Sequence, residues 1–316
     1  MRLVFFASGE FAVPTLRRLA AGDDEVALVI TQPAREGGRG RKPIPTPVRT
    51  WADDLKLPVL EAENVNAAEA VARLRELRAF LGVVVAFGQK LGPELLGAFP
   101  AGCINLHASL LPKYRGAAPI NWAIVRGEER TGVTVFRLTQ RMDAGPILTS
   151  RWTLIKPEET AGELHDRLAG VGVDAMLGAL ELFADGVIPA GTPQDDSQAT
   201  VAPKLSKRDG WVRFDRPAME IIRHICGMTP WPGAAARFEA ADGRWEQVAL
   251  VRARPAETPD APTGDPGSID ARRYVAAADR YLELLELKPS SGRTMTWQDY
   301  VNGRHVQAGD RFQPPD

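Results

Sequence analysis

Between Met1 and about Pro189 the chain alternates short runs of β-branched and aromatic residues with longer stretches of helical periodicity, and few folds accept that pattern. The runs are Leu3 to Phe6, Val26 to Thr31, Val83 to Phe87, Cys103 to Leu106 and Val133 to Leu138. Strands separated by helices predict a parallel sheet with crossover helices, because a tight turn cannot join a parallel pair. Helix starts are written in as well: Thr160-Ala-Gly-Glu163 reads as a capping box ahead of Leu164, Leu168 and Val171, and Asn66 with Glu69 predicts a similar N-terminus. Residues 189 to 203 carry many turn formers and little hydrophobic periodicity, which predicts a linker. Beyond it come a helical stretch near Ala218 to Cys226 and strand-like runs at Ala234 to Phe238, Val248 to Arg254, Tyr274 to Ala278 and Tyr281 to Leu287. With Asp242-Gly243 offering a hairpin turn, this second part reads as a small β-barrel or sandwich. We therefore divide the chain into domains at 1–189 and 206–316, joined by a linker at 190–205.

A length of 316 residues accommodates two such domains at about 150 residues each, and 44% hydrophobic with 25% charged residues fits a globular chain. No apolar run approaches membrane length and the first residues lack a signal-like core, so the expectation is an unanchored cytoplasmic protein. Cys103 and Cys226 are far apart, without His or Cys at ligand spacing, which argues against a disulfide framework and against a zinc site. The formal net charge of -1 gives no global footprint for nucleic acid, so any such claim must rest on a local feature.

After the first strand the chain continues Ala7-Ser8-Gly9-Glu10-Phe11-Ala12, with one glycine where a dinucleotide fingerprint needs three. A phosphate-binding P-loop is absent too. More telling is Gly102-Cys-Ile-Asn-Leu-His-Ala-Ser-Leu-Leu-Pro-Lys-Tyr-Arg-Gly116, where Asn105 and His107 interrupt an apolar strand. Two residues apart, they face the same side of the sheet. They also stand at the strand's carboxyl end, where open α/β sheets place their ligand crevices. Downstream, Val133 to Leu138 runs into Arg141-Met-Asp-Ala-Gly-Pro146, which predicts Asp143 on a tight loop after a neighbouring parallel strand, within reach of His107. Taken singly, a strand histidine is more often a hydrogen-bonded core residue, and an Asp ahead of Gly-Pro a turn former. Together the three supply what acyl transfer to an amine needs: an amide donor for a developing oxyanion, an imidazole that handles a proton, and a carboxylate that orients it. The incoming amine is itself the nucleophile.

The Asn105-x-His107 pair, Ser109-Leu-Leu-Pro112, the Tyr-Arg-Gly-Ala-Ala-Pro stretch from Tyr114 and Asp143 resemble the signature of the 10-formyltetrahydrofolate-dependent formyltransferases. The likeness runs through Met228-Thr-Pro-Trp-Pro-Gly233 to the final Arg311-Phe and covers nearly the whole chain. It implies a Rossmann-like formyltransferase domain followed by an OB-like β-barrel that binds tRNA. Residue by residue, Asn105, His107 and Asp143 match the family's catalytic positions, and Ser109, Leu110, Leu111 and Pro112 its folate-contacting segment. The loop from Gln32 to Lys42 resembles the basic insertion that engages the acceptor stem of methionyl initiator tRNA, with Arg39 in the critical place and Arg35, Arg41 and Lys42 beside it. Physics agrees with that assignment: residues 34 to 49 hold five cations against Glu36, among glycines able to order around phosphates. The resemblance further implies 10-formyltetrahydrofolate as co-substrate, no metal, and a monomer.

Formylation of an amino sugar on a nucleotide shares the Asn-x-His, Ser-Leu-Leu-Pro and Asp elements, and the basic insertion decides against it. A hydrolase releasing formate from the same folate is disfavoured on the same ground. A non-catalytic tRNA-binding module would not need the trio. His165, His224 and His305 are expected to be structural or solvent-facing, and Trp211, Trp231 and Trp245 to serve packing rather than base stacking.

Overall fold

The computed structural model describes residues 1–37 and 42–315, and it comprises two compact units. The first takes in Met1–Gly116, Gly132–Thr153 and His165–Val201. Its sheet has seven strands: β1 (Arg2–Ala7), β2 (Glu25–Thr31), β3 (Val59–Glu61), β4 (Leu81–Val85), β5 (Cys103–His107), β6 (Arg130–Arg137) and β7 (Ile147–Leu154), in the order β7-β6-β5-β4-β1-β2-β3. Strands β3, β2, β1, β4 and β5 run parallel, a Rossmann-like arrangement. The central strands are apolar on both faces and almost fully buried, as strands covered by helices on two sides must be. Against one face Val71, Leu74, Leu95 and Phe99 pack on Val4, Phe6, Leu28 and Ile30. Each side chain of this kind contributes roughly 1.5–3 kcal/mol by leaving water.

One strand runs against the direction expected from the sequence. Strand β6 is antiparallel to β5, pairing Ile104 with Arg137 and His107 with Thr134. Its chain therefore leaves beside the start of β5, and the loop carrying Asp143 has to double back to reach His107. Periodicity locates a strand but carries no information on its direction, so a parallel neighbour is expected where an antiparallel one stands. Strand β7 has no counterpart among the expected strands because it is a half-exposed edge strand, with Ser150, Arg151 and Trp152 all turned to solvent.

Capping follows the sequence at one of two expected places. Thr160 Oγ1 accepts from Glu163 N (3.2 Å) and Glu163 Oε2 accepts from Thr160 N (2.8 Å), which completes the capping box. Asn66 does not cap its helix, which begins at Ala68 behind Ala67. Its Oδ1 instead accepts from Gly92 N (2.6 Å) and its Nδ2 donates to the Lys90 carbonyl (2.9 Å), so a long-range tie to the loop after β4 replaces the local one.

The second unit takes in Ala117–Thr131, Leu154–Leu164 and Ala202–Asp316. Its sheet is antiparallel: β8 (Ala234–Glu239), β9 (Trp245–Pro255), β10 (Val275–Ala276), β11 (Tyr281–Pro289), β12 (Met295–Thr296) and β13 (Arg311–Gln313), in the order β10-β11-β9-β8-β13 with β12 on β11. The turn between β8 and β9 contains Asp242 and Gly243, the latter at φ +86°. Residues 267–269 bond to both outer strands: Ala276 N donates to the Ser268 carbonyl (2.9 Å) and Phe312 N to the Gly267 carbonyl (2.8 Å). That bridge nearly closes the sheet into a barrel. Only glycine serves at 267, where φ is +90° and an added Cβ would stand 2.1 Å from the Phe312 carbonyl oxygen. Helix Ala218–Met228 lies within this unit, its Gly227 carbonyl accepting from Asn121 Nδ2 (2.7 Å). Among the described residues no helix is long and apolar enough to cross a membrane.

Candidate active site

His107 ends β5 and is 6% exposed. Its Nε2 lies 2.8 Å from the backbone carbonyl of Tyr114. A carbonyl can only accept, so Nε2 carries a proton and the tautomer is fixed from that side. Nδ1 stands 3.9 Å from Asp143 Oδ2, too far for a hydrogen bond, and is the ring nitrogen left for a reacting group. Asn105, two residues earlier on the same face, is half-buried, and among the described residues nothing hydrogen-bonds to its carboxamide.

Asp143 sits at φ +48°, a left-handed conformation that costs a non-glycine residue about 1–2 kcal/mol, less for Asp. The carboxylate is aimed by Gly116 N, which donates to Oδ2 at 2.9 Å. Two residues on, Gly145 lies against Arg137, with room for no side chain: a Cβ would stand 1.7 Å from the Arg137 carbonyl oxygen. So the loop is pinned where it turns back, and the trio expected from the sequence comes together: His107 and Asp143 as neighbours, Asn105 on the same face of β5.

The segment from Ser109 to Pro112 is a tight turn after β5, with a cis bond between Leu111 and Pro112. Ser109 is fully buried; its hydroxyl donates to the Lys113 carbonyl (2.6 Å) and its own carbonyl accepts from Thr134 Oγ1 (2.7 Å). Thr134 in turn accepts from Leu111 N (3.1 Å). Ser109 and Thr134 thus shape the turn, which leaves half-buried Leu110 and Pro112 and the backbone as its contact surface.

Of the basic stretch, Arg39 and Arg41 lie outside the described residues. Arg35 and Lys42 stand at opposite ends of a short hairpin, Arg35–Gly37 paired with Lys42–Ile44. Arg35 donates to Gln32 Oε1, while Gln32 N donates to Ser8 Oγ (3.0 Å) and Gln32 Nε2 to the Phe87 carbonyl (2.9 Å). Those bonds root the hairpin at the carboxyl ends of β1, β2 and β4, the same edge of the sheet that His107 occupies. Arg49 does not share in that charge: it belongs to helix Pro47–Asp54 and is answered by Asp53 (2.8 Å) and Glu61 (3.4 Å).

Several groups at the site are invisible to sequence reasoning. Gln194, in the stretch expected as a linker, donates from Nε2 to the carbonyls of Asp143 (2.9 Å) and Gly145 (2.8 Å). Tyr114 N is held by Thr200 Oγ1 (2.9 Å). A linker glutamine leaves no local pattern, and Tyr114, although it lies in the stretch that resembles the family signature, acts through backbone groups whose role its residue type does not reveal. Two of the three tryptophans differ from expectation: Trp231 and Trp245 are 54% and 61% exposed, whereas Trp211 is half-buried. Trp245 has the Arg237 guanidinium over its ring (5.1 Å) and, with Phe238, Glu246 and Arg304, lines a cavity of about 480 Å³. The cysteine thiols are both buried, and burial pushes that of Cys226 up to about 11.

The fold and the sequence together place the chain among the formyl transferases: the formyl transferase model matches residues 1–180 and its C-terminal domain model residues 204–305. Among solved structures, HypX from Aquifex aeolicus in complex with tetrahydrofolic acid superposes with a TM-score of 0.64 at 16% identity, over 98% of this chain and 48% of that one, a likeness of fold alone. The methionyl-tRNA formyltransferase of Heliobacterium modesticaldum is 41% identical, with 99% of this chain and 100% of the relative covered, and that of Solibacter usitatus 41% identical over 99% and 98%. The chain belongs to the methionyl-tRNA formyltransferase family.

Proposed function

We propose that this chain transfers the formyl group of 10-formyltetrahydrofolate to the α-amino group of methionyl initiator tRNA. The observation that carries the reading is identity of about two residues in five to methionyl-tRNA formyltransferases over nearly the full length of both chains. What supports the chemistry is an Asn105 carboxamide that nothing hydrogen-bonds among the described residues, on the same strand face as a His107 whose Nδ1 has no hydrogen bond there.

The amine nitrogen bonds to the formyl carbon and the carbonyl π pair moves to oxygen. The Asn105 amide and the His107 imidazole, through Nδ1, hydrogen-bond that oxyanion. On collapse the C–N10 bond breaks with its pair on N10, which takes up the proton the amine has lost, so tetrahydrofolate leaves neutral at that nitrogen. Asp143, aimed by Gly116, stands beside the imidazole and orients it. The turn from Ser109 to Pro112 contacts the folate through its backbone, Leu110 and Pro112. Arg35, Arg39, Arg41 and Lys42 engage tRNA phosphates, and the enzyme works as a cytoplasmic monomer. We draw the domains at 1–189 and 206–316.

Incubating the protein and 10-formyltetrahydrofolate with methionyl initiator tRNA, free methionine or an amino-sugar nucleotide tests the acceptor. Formylated tRNA is expected; product from the sugar alone would discard the tRNA reading.

A further inference from the structure

We infer that Gln194 is a positioning residue for the reaction: its carboxamide holds the Asp143 loop in the conformation that aims the carboxylate at His107. The inference rests on the reading of Asp143 given above and extends it to a side chain 51 positions away.

Asp143 is held in the left-handed region, where a non-glycine residue needs support from its surroundings. Its side chain is fixed by Gly116 N. Its backbone is fixed by Gln194, whose Nε2 donates to the Asp143 and Gly145 carbonyls and so brackets the turn on both sides of Ala144. Glutamine rotates freely unless its other end is held, and Gln194 is held there. Its Oε1 accepts from Arg115 Nε (3.1 Å) and from an Arg115 terminal nitrogen (2.7 Å), which settles which end of the amide faces the loop. The same terminal nitrogen donates to Asp196 (2.8 Å), and Asp196 accepts from Arg141 at the other end of the loop (2.7 Å). Arg115 is itself the residue before Gly116, so one arginine joins the group that aims the carboxylate to the group that clamps its backbone. In a run of exposed residues from 191 to 198, Gln194 alone is half-buried.

Three variants of the full chain test this in single-turnover transfer from 10-formyltetrahydrofolate to methionyl-tRNA: Gln194→Glu, Asp143→Ala and the two combined. Gln194→Glu keeps the shape and a partner for Arg115 but donates nothing to the loop. We expect it to lose about 30-fold in rate at saturating substrates, with both KM values within about twofold, because misplacing a reacting group acts on kcat. In the Asp143→Ala background the second change should add nothing, since Gln194 acts through Asp143. A Gln194→Glu enzyme at wild-type rate, or losses that multiply in the double variant, overturns the inference. If the wild-type chain formylates no methionyl-tRNA, the functional reading fails by itself, and a crystal structure of Gln194→Glu then decides the positioning claim. Asp143 displaced from φ near +48° supports it, and an unmoved Asp143 overturns it.

Discussion

Tyr114 supplies the bond that settles the tautomer of His107, and it does so with its backbone carbonyl. No substitution at position 114 removes that acceptor directly, whereas the loop opposite is open to a sharper test at Gly145. A methyl group there would meet the Arg137 carbonyl oxygen at 1.7 Å, and backbone cannot give way as a long side chain does. Gly145→Ala is expected to lower kcat by about 100-fold through displacement of Asp143, with KM for methionyl-tRNA little changed. Steady-state kinetics read the split; an unaltered kcat would mean that the loop does not position the carboxylate. At this scale half of the site was legible. Asn105 and His107 announce themselves as polar residues two apart in an apolar strand, and Asp143 as a carboxylate on the loop that follows a neighbouring strand, with the resemblance behind all three. Tyr114 and Gly116 lie in the recognised stretch, but their roles are carried by backbone groups, and that of Gln194 acts across a long separation; such roles have no signature in a linear pattern.

Strand β5 and its neighbours show the same contrast one level up. The parallel strands were legible because burial on both faces demands continuous apolar runs, and the capping box because its two bonds are local. The antiparallel sense of β6 was not, since direction depends on the route of the preceding connection. Helix Ala218–Met228 carries a pH-dependent term of its own. Burial holds the His224 imidazole below its ordinary value, with the Gly210 backbone and Asp209 pulling the other way, and its Nε2 has no hydrogen-bond partner among the described residues. The folded state thus binds fewer protons than the unfolded chain, in which histidine titrates near about 6.5. Stability from this group is complete above that pH and falls as pH drops through it towards the lower folded value. Urea denaturation between about pH 7.5 and about pH 5 should show a falling midpoint, and His224→Gln should flatten the fall. An identical slope in the variant would exclude His224 as its source.

Over the whole molecule 39 cations nearly balance 40 carboxylates, so attraction for a polyanion has to be local. The hairpin bearing Arg35 and Lys42 is rooted at the sheet edge that carries His107, so its charge stands on that edge. Replacing both by alanine should raise KM for methionyl-tRNA and leave kcat near wild type. The salt dependence of log kcat/KM should fall by about one for each phosphate no longer neutralised. An unchanged salt slope would place the tRNA-binding surface elsewhere. In the proposed reaction Asn105 and His107 stabilise an oxyanion formed when the methionyl amine attacks a folate-borne formyl group. Single-turnover formylation of methionyl-tRNA by wild type, Asn105→Ala and His107→Ala tests it most directly. Each variant should be slower by about 100- to 1000-fold while its melting temperature stays near that of wild type. Either variant transferring formyl at near the wild-type rate would contradict the account.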